Sequence, residues 1–340
     1  MTIHTELPPC CLRIHPEKDI TVIGTYKLEK DTGRRHGSLD VYASGKGGWT
    51  RLLSVATELA VLDVKVSPKD PSVWVLAHST GNIMVWKFDE DNNSLQLQEN
   101  LRLYDEGVLV TSVFFDPANP EQLLATLTSG EAAIVNLQDS SSHQLDTQHL
   151  LECWTGAFGE AAPAANVVFT GGDDAKLIAH DLRTNSKIWA TSARHHDAGV
   201  VLILCPNTLW LLHQPNQLWT GSYDDHLRVF DLRKLDTDDG PCLFPSLLPQ
   251  ELHKVNLNGG VWRLIPAPKS ASTPQDSVLA CCMYQGAYIV LPEGDKPVAK
   301  QFFKGQHDSM VYGGDWASLG EYVVTCSFYD NVVEQWLPSF

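Results

Sequence analysis

Gly171-Gly172-Asp173-Asp174-Ala175-Lys176-Leu177-Ile178-Ala179-His180-Asp181-Leu182-Arg183 returns 50 residues later as Gly221-Ser222-Tyr223-Asp224-Asp225-His226-Leu227-Arg228-Val229-Phe230-Asp231-Leu232-Arg233. Glycine, the turn aspartate, leucine and the closing Asp-Leu-Arg all stay in register. A repeat of this length is one supersecondary unit that cannot bury its apolar faces alone, so it implies an array of stacked copies.

Weaker copies extend the array. His78-Ser79-Thr80-Gly81-Asn82-Ile83-Met84-Val85-Trp86 has the same turn-then-strand form, as does Phe328-Tyr329-Asp330-Asn331-Val332-Val333-Glu334-Gln335-Trp336. Fainter copies end near Tyr42, Val135 and Leu291, which gives seven anchors at 42, 86, 135, 180, 230, 291 and 336. Their spacing is close to the roughly 40–45 residues of a WD repeat, with loop insertions. Each unit reads as four short strands. In the second, Ala60 to Val66 alternates and stops at Ser67-Pro68, Val73 to Ala77 leads into Ser79-Thr80-Gly81, and Ile83 to Phe88 and Leu101 to Tyr104 follow. The expected fold is all-β, a seven-bladed WD-repeat β-propeller filling residues 1–340 as a single domain. The last unit stops after its third strand, so residues near Ile3 to Leu7 are expected to supply the missing outer strand and latch the ring. Pro206 to Gln217, Pro266 to Asp276, Asp89 to Asn93 and Asp236 to Pro241 read as inserted or polar loops.

Composition limits the function. Hydrophobic residues make up 43% of the 340, enough for a packed interior, and the net charge of -16 repels phosphate backbones. Nucleic acid is therefore not expected as a partner. The eight cysteines show no Cys-x-x-Cys spacing, which suits reduced thiols in a cytoplasmic protein. No signal region and no membrane-length apolar run stand out, the strongest being Val200 to Cys205. A soluble monomer is expected.

Searches for a nucleophile elbow, a zinc helix and a phosphate-cradling loop are empty, and Gly45 to Gly48 reads as a turn. What remains is a set of polar and aromatic residues at matching places in the repeat. His196-Asp197 and His307-Asp308-Ser309 precede inner strands. Turns between second and third strands hold Asp173-Asp174, Tyr223-Asp224-Asp225, Tyr284-Gln285 and Tyr329-Asp330. Both kinds of connection emerge on one face of a propeller. WD repeats commonly join such a His, a turn Asp and a strand Trp in one network, so a scaffold role weighs more than catalysis for His196 and His307. Asp197, Asp308 and Ser309 are open to either role. Trp154 and Trp262, at inner-strand starts, either pack between blades or form an aromatic wall that holds a quaternary ammonium. The pair His195-His196 with Asp197 lacks further ligands, so neither a metal nor a cofactor is expected.

Several segments resemble one family: Leu7-Pro8-Pro9-Cys10-Cys11-Leu12-Arg13-Ile14, Leu151-Glu152-Cys153-Trp154-Thr155, His196-Asp197-Ala198-Gly199-Val200, Gly259-Gly260-Val261-Trp262-Arg263, and His307-Asp308-Ser309-Met310 through Tyr312-Gly313-Gly314-Asp315-Trp316 to Tyr329-Asp330. The family is the WD-repeat diphthine methyl ester hydrolase of diphthamide biosynthesis, often labelled diphthine methyltransferase. The resemblance implies hydrolysis of methylated diphthine on translation elongation factor 2 to diphthine, before amidation to diphthamide. A trimethylammonium substrate suits an acidic, aromatic-rimmed mouth. The expected machinery is a His base (His196 or His307) oriented by Asp197 or Asp308, Ser309 as nucleophile or donor, and the Gly259-Gly260 backbone as oxyanion donors. Trp154, Tyr223, Trp262, Tyr284 and Tyr329 are expected to hold substrate. The alternative is a non-catalytic scaffold that recruits elongation factor 2 or trafficking proteins.

Overall fold

The computed structural model describes residues 1–340 apart from 45–46, 90, 163, 233–249 and 271–272. The expected loop Asp236 to Pro241, residue Cys242, and parts of the expected Asp89–Asn93, Pro266–Asp276 and Gly45–Gly48 segments lie outside the described residues.

Alternating apolar residues with a turn every few residues produce short antiparallel strands, and the described strands form seven sheets. All seven anchors fall on the third strands of their sheets. The inner strands are Pro9–Ile14, Val61–Val66, Val110–Phe115, Cys153–Phe158, Val200–Leu204, Arg263–Pro266 and Val311–Trp316. They ring a central channel. The fold is thus an all-β, seven-bladed propeller.

Each gap between neighbouring blades holds its own core. Blades four and five meet through Phe169, Leu177 and Trp189 against Val200, Ile203 and Phe230. Blades seven and one meet through Tyr322, Val324 and Val333 against Leu12, Ile14 and Ile23. Burying one such large side chain contributes about 2–3 kcal/mol, and every blade needs two neighbours to bury both faces. Near the axis the backbones crowd. A Cβ on Gly313 would lie 2.6 Å from the Cys326 sulfur, and one on Gly314 would lie 2.9 Å from the Cys281 sulfur.

Blade seven takes its outer strand from the opposite end of the chain. Thr2–His4 pairs antiparallel with Val332 to Glu334, in register Thr2 to Glu334. The Met1 ammonium donates to the Gln335 carbonyl at 2.8 Å, and Thr5 N–H donates to the Asn331 carbonyl at 3.0 Å. Blade one departs from the others: its long third strand, Arg35–Ala43, also pairs with Lys27–Leu28, extending a hairpin beyond the sheet.

Removing residues 1–5 exposes the Val332–Trp336 edge and unties blade seven. The expected result is a melting temperature lower by several degrees, corresponding to roughly 2 kcal/mol or more, and concentration-dependent self-association. Calorimetry and light scattering check both.

Candidate active site

The upper face is organised by turns of fixed register. In blades four and five three-residue turns join the second and third strands, with Ala175 (φ 60°) and Asp225 (φ 66°) left-handed. Blade seven uses four residues, Phe328 to Asn331, with Asn331 (φ 59°) in that conformation. The turn aspartates Asp174, Asp224 and Asp330 then accept the backbone N–H of Leu150, Asp197 and Asp308 at 3.1, 2.8 and 2.7 Å. They tie each turn to the segment entering the inner strand.

The histidines belong to these ties. His307 bonds the Ser327 hydroxyl at 2.7 Å and the Thr325 hydroxyl at 2.8 Å, and Trp336 Nε1 donates to the same Thr325 at 3.1 Å. His196 Nε2 bonds the Thr220 hydroxyl at 2.9 Å, with the Phe230 ring beside it. His149, not singled out from sequence, bonds Asp174 at 2.8 Å and Thr170 at 3.0 Å, while His180 shares Thr170 at 3.1 Å. Burial lowers His196 to about 3 and His307 to about 4, so both are neutral at physiological pH. Neither lines the central mouth. For both, the structure supplies a scaffold role and no route to a solvent-borne substrate.

The turn position before each aspartate points elsewhere. Tyr223 and Tyr329 reach the channel mouth, and Asp173 accepts from Trp154 Nε1 at 3.3 Å. The extra residue of the blade-seven turn adds Phe328. Together with Tyr26, Trp154, Trp262 and Tyr312 these rings surround a cavity of about 590 Å³ on the propeller axis. The rings touch in sequence: Trp154 to Trp262 at 6.0 Å, Trp262 to Tyr312 at 4.8 Å, Tyr312 to Phe328 at 5.4 Å and Phe328 to Tyr329 at 5.0 Å between centroids, with Tyr223 against Trp262 at 5.6 Å.

The charge of the mouth departs from expectation. Among the described residues its lining holds Lys27, Lys30 and Arg263 and no carboxylate, with Asp173 standing behind Trp154, so it is not the acidic mouth expected to suit a trimethylammonium substrate. Beneath it the inner strands carry a buried set of charges. Lys65 pairs with Asp63, Arg263 lies 3.7 Å from Asp63, and Arg13 lies 3.5 Å from Asp315. Burial alone would raise the Asp63 carboxyl, but Lys65 and Arg263 outweigh it and hold it below the ordinary range. Burial brings Lys65 down to about 8. Burial pushes the Cys10 thiol, also in the lining, up to about 12, which makes it a poor nucleophile at neutral pH.

Of the residues expected to hold substrate, Trp154, Tyr223, Trp262 and Tyr329 converge on the cavity. Tyr284 is exposed on its turn away from the lining. Gly259 and Gly260 serve close packing, since a Cβ would meet the Cys282 carbonyl oxygen at 2.3 Å and the Met283 sulfur at 2.5 Å respectively. Asp197 is 69% exposed and pairs with Lys254 at 3.2 Å; Asp308 is exposed, and its N–H is held by Asp330. Ser309 is buried and its hydroxyl accepts from Tyr329 N–H at 3.0 Å, which fixes the turn carrying that ring. These five polar candidates, His196, Asp197, His307, Asp308 and Ser309, are not brought together with the cavity.

Fold and site together define a WD-type propeller with an aromatic-lined mouth over a buried charge set. A chain from the crystal structure of a mitotic checkpoint complex superposes over all of this chain and 91% of its own, with TM-score 0.72 at 14% identity, which supports the fold. No profile of a known protein family matches. Whole-length relatives do, among them a diphthine methyltransferase of Saccharomyces cerevisiae, 39% identical over 98% of this chain and 97% of its own, and one of Schizosaccharomyces pombe, 32% identical over 94% and 91%. The chain belongs to the diphthine methyltransferase family.

Burial gives His78, His180, His196 and His307 depressed values of about 4, 4, 3 and 4. In the unfolded chain each binds a proton near about pH 6.5. Their contribution to stability is therefore complete above that pH and lost as pH falls from it toward 4. Each histidine should cost roughly 2 kcal/mol between pH 7 and pH 5. Urea midpoints at the two pH values check the slope, and His307→Gln should make it shallower.

Proposed function

We propose that the protein acts in diphthamide biosynthesis as a methyl ester hydrolase, converting methylated diphthine on translation elongation factor 2 to diphthine, before the final amidation. Family membership supports the pathway. The cavity on the axis carries the rest: it has the size of a small-molecule site and walls that attract a trimethylammonium group through their π faces.

The cationic lining favours hydrolysis over methylation. Water adds to the ester carbonyl carbon, and the carbonyl oxygen gains negative charge. The carbon–methoxy bond then breaks, methanol leaves with a proton, and the carboxyl loses its own proton to solvent. Negative charge that appears during the reaction is stabilised by a fixed cation. Methylating a carboxylate would remove that charge, and the same cations would hold the reactant back. We assign the working protein to the cytoplasm as a monomer, acting on the modified histidine of elongation factor 2.

A scaffold reading has one observation in its favour. Leu150, Leu151, Tyr284 and Tyr329 are exposed on the face that carries the mouth, and such a surface suits protein docking. Incubating the chain with elongation factor 2 bearing methylated diphthine, and following the modified peptide by mass spectrometry, separates the two. Loss of one methyl with release of methanol is the expected result. An unchanged peptide in a persisting complex would establish the scaffold instead.

The walls can be tested in the same assay. Trp154→Ala and Tyr312→Leu should each raise KM by about tenfold, the scale of a desolvated cation–π contact, while the ring stays folded by circular dichroism. An unchanged KM in both would remove the aromatic site from the mechanism.

A further inference from the structure

The floor of the mouth has a cation that its neighbours do not neutralise. Inner strands of blades one, two, six and seven contribute Arg13, Asp63, Lys65, Arg263 and Asp315, three cations to two carboxylates. Lys65 holds Asp63 closely and Arg13 faces Asp315. Arg263 is left with the longer 3.7 Å approach to an aspartate already in use. Its side chain is 12% exposed, and it lines both the mouth and the separate cavity at the lower end of the channel. It therefore stands at the waist of the channel. Its guanidinium carbon lies 5.6 Å from the Trp262 ring centroid, so an aromatic wall and a positive fork occur within the span of one small ligand.

We propose that Arg263 is an anion subsite at the bottom of the aromatic mouth, selecting a zwitterion: a quaternary ammonium with a carboxylate, or a carboxylate-like oxyanion, one or two bonds away. This deepens the hydrolase reading and rests on it for its role in turnover. A bare quaternary ammonium meets Lys27, Lys30 and Arg263 in the lining against the one carboxylate, Asp173, bonded behind Trp154, and this excess of positive charge opposes the π attraction. A ligand that adds a negative oxygen near Arg263 reverses the balance. A planar guanidinium can donate two parallel N–H bonds to such a group. In ester hydrolysis that group exists only once water has added and in the carboxylate product. Arg263 accordingly holds the transition state more tightly than the neutral ester, and Asp63 acts as a positioning residue that orients it.

Two measurements test this, and their failures are distinguishable. In turnover of methylated diphthine on elongation factor 2, Arg263→Gln should lower kcat by about 100-fold, the scale for loss of one oxyanion donor, with KM little changed. Arg263→Lys should recover part of the loss. A folded Arg263→Gln protein with wild-type kcat overturns the catalytic role. Binding by calorimetry needs no turnover. Wild type should bind trimethylglycine at least about tenfold more tightly than tetramethylammonium, a difference of about 1.4 kcal/mol. Arg263→Gln should lose that preference while keeping tetramethylammonium binding. Equal binding of the two ions by wild type, or an unchanged preference in the variant, overturns the subsite even where the ester is hydrolysed. A wild type that shows the preference but leaves the ester intact retains the subsite and sinks only the hydrolase reading.

Discussion

The backbone pairing of Thr2–His4 with Val332–Glu334 makes all seven interblade cores equivalent. A four-stranded sheet with two apolar faces is stable only between two others, so an open row of blades would leave two faces wet. Closing the row makes every core internal and brings seven inner strands to one axis. That crowding calls for glycine where Gly313 and Gly314 pass their neighbours, and it places residues from both ends of the sequence, such as Cys10 and Tyr312, in one cavity lining. The mouth is a consequence of closure: no blade contains it.

Closure alone does not decide which side chains face the axis. That falls to the turns. A left-handed residue at 175, 225 and 331 brings the preceding aspartate back onto the segment entering its own blade's inner strand, and in blades five and seven the residue before it, Tyr223 or Tyr329, reaches the channel mouth. The hydrogen-bonded His, Thr and Asp groups are therefore structural, and burial keeps the His196 and His307 imidazoles neutral. The aromatic residues beside them are presented to solvent by the same geometry. Scaffold and site alternate along a single turn, and one inserted residue, Phe328, adds a further ring to the wall.

This alternation explains what the sequence disclosed and what it withheld. Seven anchors were legible because the third strand keeps its apolar pattern in every blade, even across spacings that vary with loop length. Four lining aromatics, Trp154, Tyr223, Trp262 and Tyr329, were legible because they sit at recurrent repeat positions. Tyr26 was not, since it comes from the irregular hairpin peculiar to blade one, and Tyr312 was hidden inside a strand. His149 escaped notice because the distance to its threonine changes from blade to blade while the hydrogen bonds do not. Tyr284 shows the opposite error: the residue type recurs, but in blade six its turn leaves it outside the mouth.

Charge misled for a related reason. A net charge of -16 describes the whole chain, yet the channel lining selects its own few residues from the inner strands. There Arg13, Lys65 and Arg263 exceed Asp63 and Asp315, and Lys27 and Lys30 add to the excess at the rim. Within an enclosed cavity such local charges act through a lower dielectric than those on the outer surface, which are screened within roughly 8–10 Å at physiological salt. An acidic exterior can therefore surround a mouth that favours negative charge. For a substrate whose uncharged ester sits beside its own quaternary ammonium, the floor offers the starting state no charge attraction, and the aromatic walls alone hold it. The floor acts on the charge that appears only as the ester carbonyl is attacked.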